Sequence, residues 1–135
     1  MTRESFVDTA IIVLVVEDDQ MLHDLLSEVL INGGFAVAQA LNPADAMRMI
    51  EAPDAAYRAL VTDINLAPGQ QTGWDIAKRA REINADIPVV YMTGDSADQW
   101  SACGVPNSIL ITKPFAPAQL MTAVAQLLNA VPATA

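Results

Sequence analysis

The sequence predicts an α/β protein built on a doubly wound sheet of five parallel strands, with helices on both faces. An unbroken run of β-branched and aliphatic residues at 11–16 is typical of a strand buried on both faces of a parallel sheet, and we expect it to be the central strand. Strand and helix patterns then alternate along the chain to give five βα units. Since each parallel crossover is right-handed and needs a helix, such units stack into one layered sandwich.

The period of the apolar residues predicts where each element lies. The first helix shows helical spacing from Met21 to Leu30 and stops at Asn32-Gly33-Gly34. The other predicted elements, in chain order, are a strand at 35–38, a helix at 43–51, a strand at 60–62, a helix at 73–84, a strand at 87–92, a short helix at 96–103, a strand at 108–112 and a last helix at 116–129. One domain, residues 1–135 with its core at about 10–129, accounts for all of them.

Composition and charge restrict the partners and the compartment. The 135 residues include 16 acids and 7 bases, a formal charge of -9, so phosphate repulsion disfavours nucleic acid and anionic membranes and favours proteins and cations. The single cysteine, Cys103, excludes an intramolecular disulfide and favours a reducing compartment, which we take to be the cytoplasm. The early apolar stretch at 10–16 is much shorter than the ~20 residues of a membrane helix, and we predict neither membrane insertion nor a targeting segment.

Polar residues stand at the carboxyl ends of four predicted strands. Glu17 and Asp18 follow the first strand, Asp63 ends the third, Thr93 follows the fourth and Lys113 follows the fifth. Ligands of doubly wound sheets bind at this edge. Crowded carboxylates repel each other, and Mg²⁺ is the simplest compensation, with Asp18 and Asp63 as direct ligands and Glu17 acting mainly through water. The Lys113 ammonium and the Thr93 hydroxyl suit a phosphoryl group held on Asp63.

Several of these residues also have a purely structural interpretation. Asp19 is expected to cap the first helix, and Asp63 precedes Pro68-Gly69 as turn aspartates often do. His23, the only histidine, has no second ligand beside it, and we expect a plain helix-surface residue. Cys103 has no basic neighbour in the sequence, which favours a small packing residue over a redox sensor.

Four short motifs mark the ends of these strands. They are Val-Val-Glu-Asp-Asp at 15–19, Val-Thr-Asp-Ile-Asn at 61–65, Met-Thr-Gly at 92–94 and Ile-Thr-Lys-Pro-Phe at 111–115. No single motif is specific, but in this order the chain resembles, over nearly its whole length, the receiver domain of bacterial two-component response regulators. The resemblance implies a flavodoxin-like sheet with strand order 2-1-3-4-5.

By that resemblance Asp63 accepts a phosphoryl group from a phosphohistidine on a sensor histidine kinase or a histidine phosphotransfer protein. Glu17 and Asp18 would hold Mg²⁺, or Mn²⁺ in its place, together with Asp63 and the backbone carbonyl of Asn65. Thr93 and Lys113 would detect the phosphorylated state. A cis bond between Lys113 and Pro114 is also implied.

The chain departs from the receiver pattern three residues before the lysine. Receivers usually carry there a Tyr or Phe that swings inward on activation, whereas this chain has Leu110. Trp100, on the short fourth helix, is expected to be a core or interface anchor and not a replacement switch. The fourth helix and its flanks, often the output face, are therefore expected to be remodelled, which leaves open whether two copies pair through the fourth and fifth elements.

These observations favour a signalling switch whose only reactions are Mg²⁺-dependent self-phosphorylation from a phosphodonor and slow autodephosphorylation. It would act on an unknown downstream protein without an attached output domain, since only 130–135 follow the last helix. A phosphate sink or shuttle, and a receiver cut from a hybrid kinase, are alternatives. An aspartyl-phosphate phosphatase is disfavoured because it needs Asp-x-Asp after the first strand, whereas the motif here is Asp63-Ile64-Asn65 on the third. A flavin or nucleotide binder would need a Gly-rich loop after the first strand, which is missing.

Overall fold

The computed structural model describes residues 11–66 and 71–130, which form five strands and five α-helices. The strands are β1 (Ile12–Val16), β2 (Ala36–Ala40), β3 (Ala59–Asp63), β4 (Val89–Thr93) and β5 (Ser108–Thr112). The helices are α1 (Gln20–Asn32), α2 (Pro43–Glu51), α3 (Gly73–Ile83), α4 (Trp100–Cys103), which follows a 3-10 turn at Ala97–Gln99, and α5 (Pro117–Ala130).

The strands are parallel and lie in the order β2-β1-β3-β4-β5, which confirms the predicted doubly wound sheet. The register aligns the carboxyl ends of neighbouring strands. Val16 at the end of β1 pairs with Thr62 near the end of β3. Thr93 at the end of β4 pairs with Thr112 at the end of β5. Residues that end or follow these strands are therefore brought to one edge of the sheet.

Two apolar clusters cover the two faces of the sheet. Successive side chains of a strand point to opposite faces, so β1 contributes to both clusters. Leu14 and Val16 pack in the cluster beneath α2 and α3, and Val13 and Val15 pack in the cluster beneath α1 and α5. The prediction that β1 is buried on both faces is therefore confirmed, but β1 lies second in the sheet and the central strand is β3.

Most predicted boundaries differ from the structure by one or two residues. The bounds of α2 and β5 match the prediction residue for residue. β4 begins at Val89, two residues later than predicted, because Pro88 has no N–H to donate to a neighbouring strand. A 3-10 turn and the four-residue α4 replace the single helix predicted at 96–103.

Side-chain caps fix where several helices begin. Asp19 caps α1, as predicted: its Oδ1 accepts the N–H groups of Met21 at 3.0 Å and Leu22 at 3.3 Å. Thr72 and Asp75 form a reciprocal capping box at the start of α3. Within the described residues no helix combines the length and the hydropathy that crossing a bilayer requires.

Candidate functional site

Three carboxylates meet at the carboxyl edge of the sheet. One ligand oxygen from each of Glu17, Asp18 and Asp63 can be chosen so that all three lie within 4.8 Å of one another. Glu17 directly follows β1, and its N–H donates to the carbonyl of Ala40 at 3.1 Å, so the end of β2 fixes its position. The side chains of Glu17 and Asp63 are buried and that of Asp18 is exposed. The structure thus brings together the three acids that the sequence predicted as metal ligands.

One lysine faces two of these acids. The Nζ atom of Lys113 lies 2.8 Å from Oδ2 of Asp63 and 3.1 Å from Oε1 of Glu17. The lysine is held by the sheet, since its N–H donates to the carbonyl of Thr93 at 2.7 Å. The bond between Lys113 and Pro114 is cis, as the resemblance implied.

The electrostatics of the cluster reflect burial and crowding. Burial, with the negative charge of Asp63 adding to it, raises the pKa of Glu17 to about 7, although the Asp19 N–H and the Lys113 ammonium act in the opposite direction. Burial disfavours the charge on Lys113, but the carboxylates of Asp63 and Glu17 outweigh it and raise the pKa of Lys113. The raised pKa of Glu17 and the positive charge of Lys113 therefore both reduce the net negative charge of the three acids.

Thr93 and Asn65 lie at the same edge but make different contacts from those predicted for the phosphorylated protein. The Thr93 side chain is buried, and its hydroxyl oxygen accepts the N–H groups of Asp95 at 3.2 Å and Ser96 at 2.8 Å. The backbone N–H of Asn65 donates to Oδ1 of Asp63 at 3.2 Å. The Thr93 hydroxyl thus organises the loop after β4, and Asn65 touches the acceptor oxygen of Asp63 through its backbone.

The sequence reasoning missed a polar link between the loops after β3 and β4. The Asn65 side-chain amide donates to Oδ1 of Asp95 at 2.7 Å and to the hydroxyl of Ser96 at 3.2 Å. The Ser96 hydroxyl donates in turn to Asp95 at 3.2 Å. The sequence signal for this link was the pair Asp95-Ser96 directly after Thr93-Gly94. Short polar side chains in loops often form hydrogen bonds with neighbouring groups.

The expectation that His23 is a surface residue is wrong. The ring is fully buried, with Nε2 3.0 Å from the carbonyl of Val15 and Nδ1 3.3 Å from Oγ of Ser27. Because the Val15 carbonyl can only accept, Nε2 carries a proton and donates to it, and in the neutral ring Nδ1 then accepts from the Ser27 hydroxyl. The spacing of His23 with the buried residues Leu26 and Leu30 of α1 is the signal that placed it on the inner helix face.

The family model of the response regulator receiver domain matches residues 13–125, so the chain belongs to the receiver domain family of two-component response regulators. Proteins of this family act as phosphorylation switches, and they interact with histidine kinases or phosphotransfer proteins. A solved structure of a response regulator receiver protein from Sinorhizobium medicae WSM419 has a TM-score of 0.88 and 40% identity, over 92% of this chain and 98% of that chain.

Two curated relatives show the same relationship in sequence. A response regulator receiver protein from Anaeromyxobacter sp. (strain Fw109-5) is 36% identical over 112 residues, which are 83% of this chain and 43% of that protein. The transcriptional regulatory protein CusR from Escherichia coli (strain K12) is 29% identical over 118 residues, which are 86% of this chain and 50% of CusR. The chain spans about half the length of these relatives.

Proposed function

We propose that this receiver domain accepts a phosphoryl group on Asp63 and passes the signal on through protein contacts. The observation that carries the proposal is the position of Lys113, whose ammonium lies 2.8 Å from one Asp63 oxygen at the end of β3. The other oxygen accepts the N–H of Asn65. A carboxylate held between two donors is oriented for attack and is placed beside a charge that can neutralise a phosphoryl group.

The reaction is a transfer between two acceptors. An oxygen of the Asp63 carboxylate attacks the phosphorus of a phosphohistidine on a kinase or phosphotransfer protein. The new O–P bond forms as the N–P bond breaks, and the electron pair returns to the imidazole nitrogen of the donor. Lys113, freed from its contact with the Asp63 carboxylate, then faces an oxygen of the phosphoryl group.

The acidic cluster fits a divalent cation. The three carboxylates provide hard oxygen ligands that converge within 4.8 Å. We propose Glu17, Asp18, Asp63 and the backbone carbonyl of Asn65 as the residues that hold Mg²⁺ or Mn²⁺. When bound, the ion supplies positive charge that offsets the carboxylates and the phosphoryl oxygens.

Thr93 is proposed to detect the modified state. Its hydroxyl hydrogen is available to a phosphoryl oxygen if the side chain turns toward Asp63, and its oxygen now fixes two N–H groups of the following loop. A turn of this hydroxyl would therefore release or rearrange the loop that begins at Gly94. That loop leads to α4, so a change at Asp63 reaches the surface there.

The test is intact mass after incubation with acetyl phosphate and Mg²⁺. The wild type should gain one phosphoryl group, Asp63→Asn should gain none, and chelation of the metal should abolish the gain. Asp95→Asn is the matched control, because Asp95 lies at the same edge but outside the three-carboxylate cluster. A phosphoryl group on Asp63→Asn, or none on a folded, Mg²⁺-loaded wild type given a cognate phosphodonor, would contradict the proposal.

A further inference from the structure

Position 110, where receivers usually carry a mobile aromatic ring, lies directly beside a buried tyrosine of the neighbouring strand. Leu110 on β5 pairs in register with Tyr91 on β4. Tyr91 is fully buried, and its ring centroid lies 4.7 Å from that of Trp74 on α3. A ring enclosed by a strand and a helix on its packed face cannot swing as a surface residue does, so its hydroxyl is the part of Tyr91 that can transmit a change.

The Tyr91 hydroxyl begins a chain of hydrogen bonds that ends at the surface. It accepts the N–H of Val105 at 3.1 Å, and the carbonyl of Val105 accepts the hydroxyl of Ser108 at 2.7 Å. The Ser108 oxygen accepts the indole N–H of Trp100 at 3.0 Å. Val105 and Ser108 are buried, whereas Trp100 is 37% exposed. The chain thus runs from the core of the sheet to a large side chain at the surface.

The segment between α4 and β5 is held tightly around this chain. A Cβ atom at Gly104 would lie 2.4 Å from Cδ1 of Trp100, so the ring packs directly on the backbone. The Arg81 guanidinium on α3 donates to the carbonyls of Ile87 and Pro106, each at 2.7 Å. Because these contacts restrict the backbone between α4 and β5, this segment cannot absorb a displacement of Val105 by itself. The displacement should therefore reach Ser108 and Trp100.

Tyr91 also shares its strand and face with Thr93. The two residues are two positions apart on β4, so their side chains point to the same side of the sheet. A change in how the Thr93 hydroxyl bonds the following loop therefore acts on the same end of β4 that positions Tyr91.

We propose that Tyr91, through Val105 and Ser108, couples the carboxyl end of β4 to Trp100, and that this chain serves in place of the mobile ring absent at Leu110. As a regulatory device the chain rests on the proposed phosphorylation of Asp63. The coupling itself can be tested without phosphorylation. Trp100 is then the surface residue whose environment reports the state of Thr93.

The first measurement tests the local bond. In the unmodified protein Tyr91→Phe, which removes only the hydroxyl, should speed hydrogen exchange of the Val105 amide by about two- to tenfold. Tyr57→Phe, which alters the only other tyrosine, should leave that amide unchanged. Equal exchange of Val105 in the wild type and in Tyr91→Phe would overturn the proposal at its first step.

The second measurement tests coupling by a double-mutant cycle. The indole N–H resonance of Trp100, assigned with a Trp74→Phe variant, is compared with and without Thr93→Ala in the wild type and in the Tyr57→Phe and Tyr91→Phe backgrounds. Thr93→Ala should shift this resonance in the first two backgrounds and shift it by less than half as much in Tyr91→Phe. Shifts of the same size in all three backgrounds, or no shift in any, would overturn the proposal.

The third measurement separates this inference from the proposed function. Asp63 is phosphorylated, with the phosphoryl gain verified by intact mass, and the Trp100 resonance is recorded again. A verified phosphoryl gain without a change at Trp100 would refute the role of the chain and leave the function of Asp63 standing. Failure to gain a phosphoryl group would count against Asp63 as acceptor, while the Thr93→Ala cycle would still decide whether the coupling exists.

Discussion

At the scale of single residues, Gly73 is a position beside the site that has no room for a side chain. A Cβ atom there would lie 2.2 Å from the carbonyl oxygen of Asp63 and 2.9 Å from Cα of Ile64. Both neighbouring atoms belong to the backbone, so rotation of a side chain cannot relieve the clash. Gly73→Ala should lower the free energy of unfolding by about 1–3 kcal/mol and displace the end of β3, slowing phosphorylation of Asp63.

Gly94 is the matched control for that substitution, since a Cβ atom there meets no other atom within 4 Å. Gly94→Ala should change the free energy of unfolding by about 0.5 kcal/mol or less in urea denaturation. Equal losses of stability for the two variants would show that the close approach at Gly73 is not what limits the side chain.

His23 is a second residue whose environment leads to a definite expectation. Its buried ring donates to the Val15 carbonyl and is hydrogen-bonded to the Ser27 hydroxyl, so His23→Ala removes core volume and leaves both groups without that partner. We expect a loss of about 2–4 kcal/mol in urea denaturation without metal. Glu28→Ala, at an exposed position of the same helix, should cost little. A His23→Ala variant as stable as Glu28→Ala would mean that the ring is not packed as described.

At the scale of elements, the sequence predicted the type and order of the strands and helices because their apolar periods are clear. Boundaries were predicted best where one residue determines them, as Pro43 does at the start of α2. The inner position of His23 was missed because a polar residue on the apolar face of a helix was judged by its type and not by its position. The hydrogen-bond partners of Tyr91 could not be predicted, since they depend on the path of a loop and not on any local pattern.

The start of α3 gives a prediction at this scale. Thr72 and Asp75 cap each other: the N–H of Thr72 donates to Asp75 at 3.0 Å, and the N–H of Asp75 donates to the Thr72 hydroxyl at 3.4 Å. Thr72→Ala should lower the free energy of unfolding by about 1 kcal/mol. Gln71→Ala, an exposed position just before the cap, is the control in the same urea titration. An unchanged unfolding midpoint for Thr72→Ala would show that the box does not stabilise the helix.

At the scale of the whole molecule, the sequence predicted that the side chains of the site lie close together, because the sheet topology, and not local chemistry, gathers them. Asp63 and Glu17 precede Lys113 by 50 and 96 positions in the sequence, yet both contact its ammonium. They meet because parallel strands bring their carboxyl ends to one edge of the sheet. The contacts of Thr93 in the unmodified protein were not predicted. The Thr93 hydroxyl accepts hydrogen bonds from the backbone of the loop that follows it. These contacts depend on the local path of the loop, which strand order does not determine.

The cluster at this edge leads to a prediction for the stability of the whole domain. Three carboxylates converge here, and two of them, those of Glu17 and Asp63, contact the Lys113 ammonium. A cation that binds only the folded protein should therefore raise its melting temperature by mass action. At a Mg²⁺ concentration about 100-fold above its dissociation constant, the gain should be about 2.7 kcal/mol. Calorimetry with and without Mg²⁺ measures this gain.

The Asp18→Asn variant should lose most of this gain in stability, while Asp24→Asn, which changes an exposed acid of α1 outside the cluster, should keep it. The full Mg²⁺ shift in Asp18→Asn would remove Asp18 from the ligand set, and an equal loss in both variants would reduce the effect to general screening of an acidic protein.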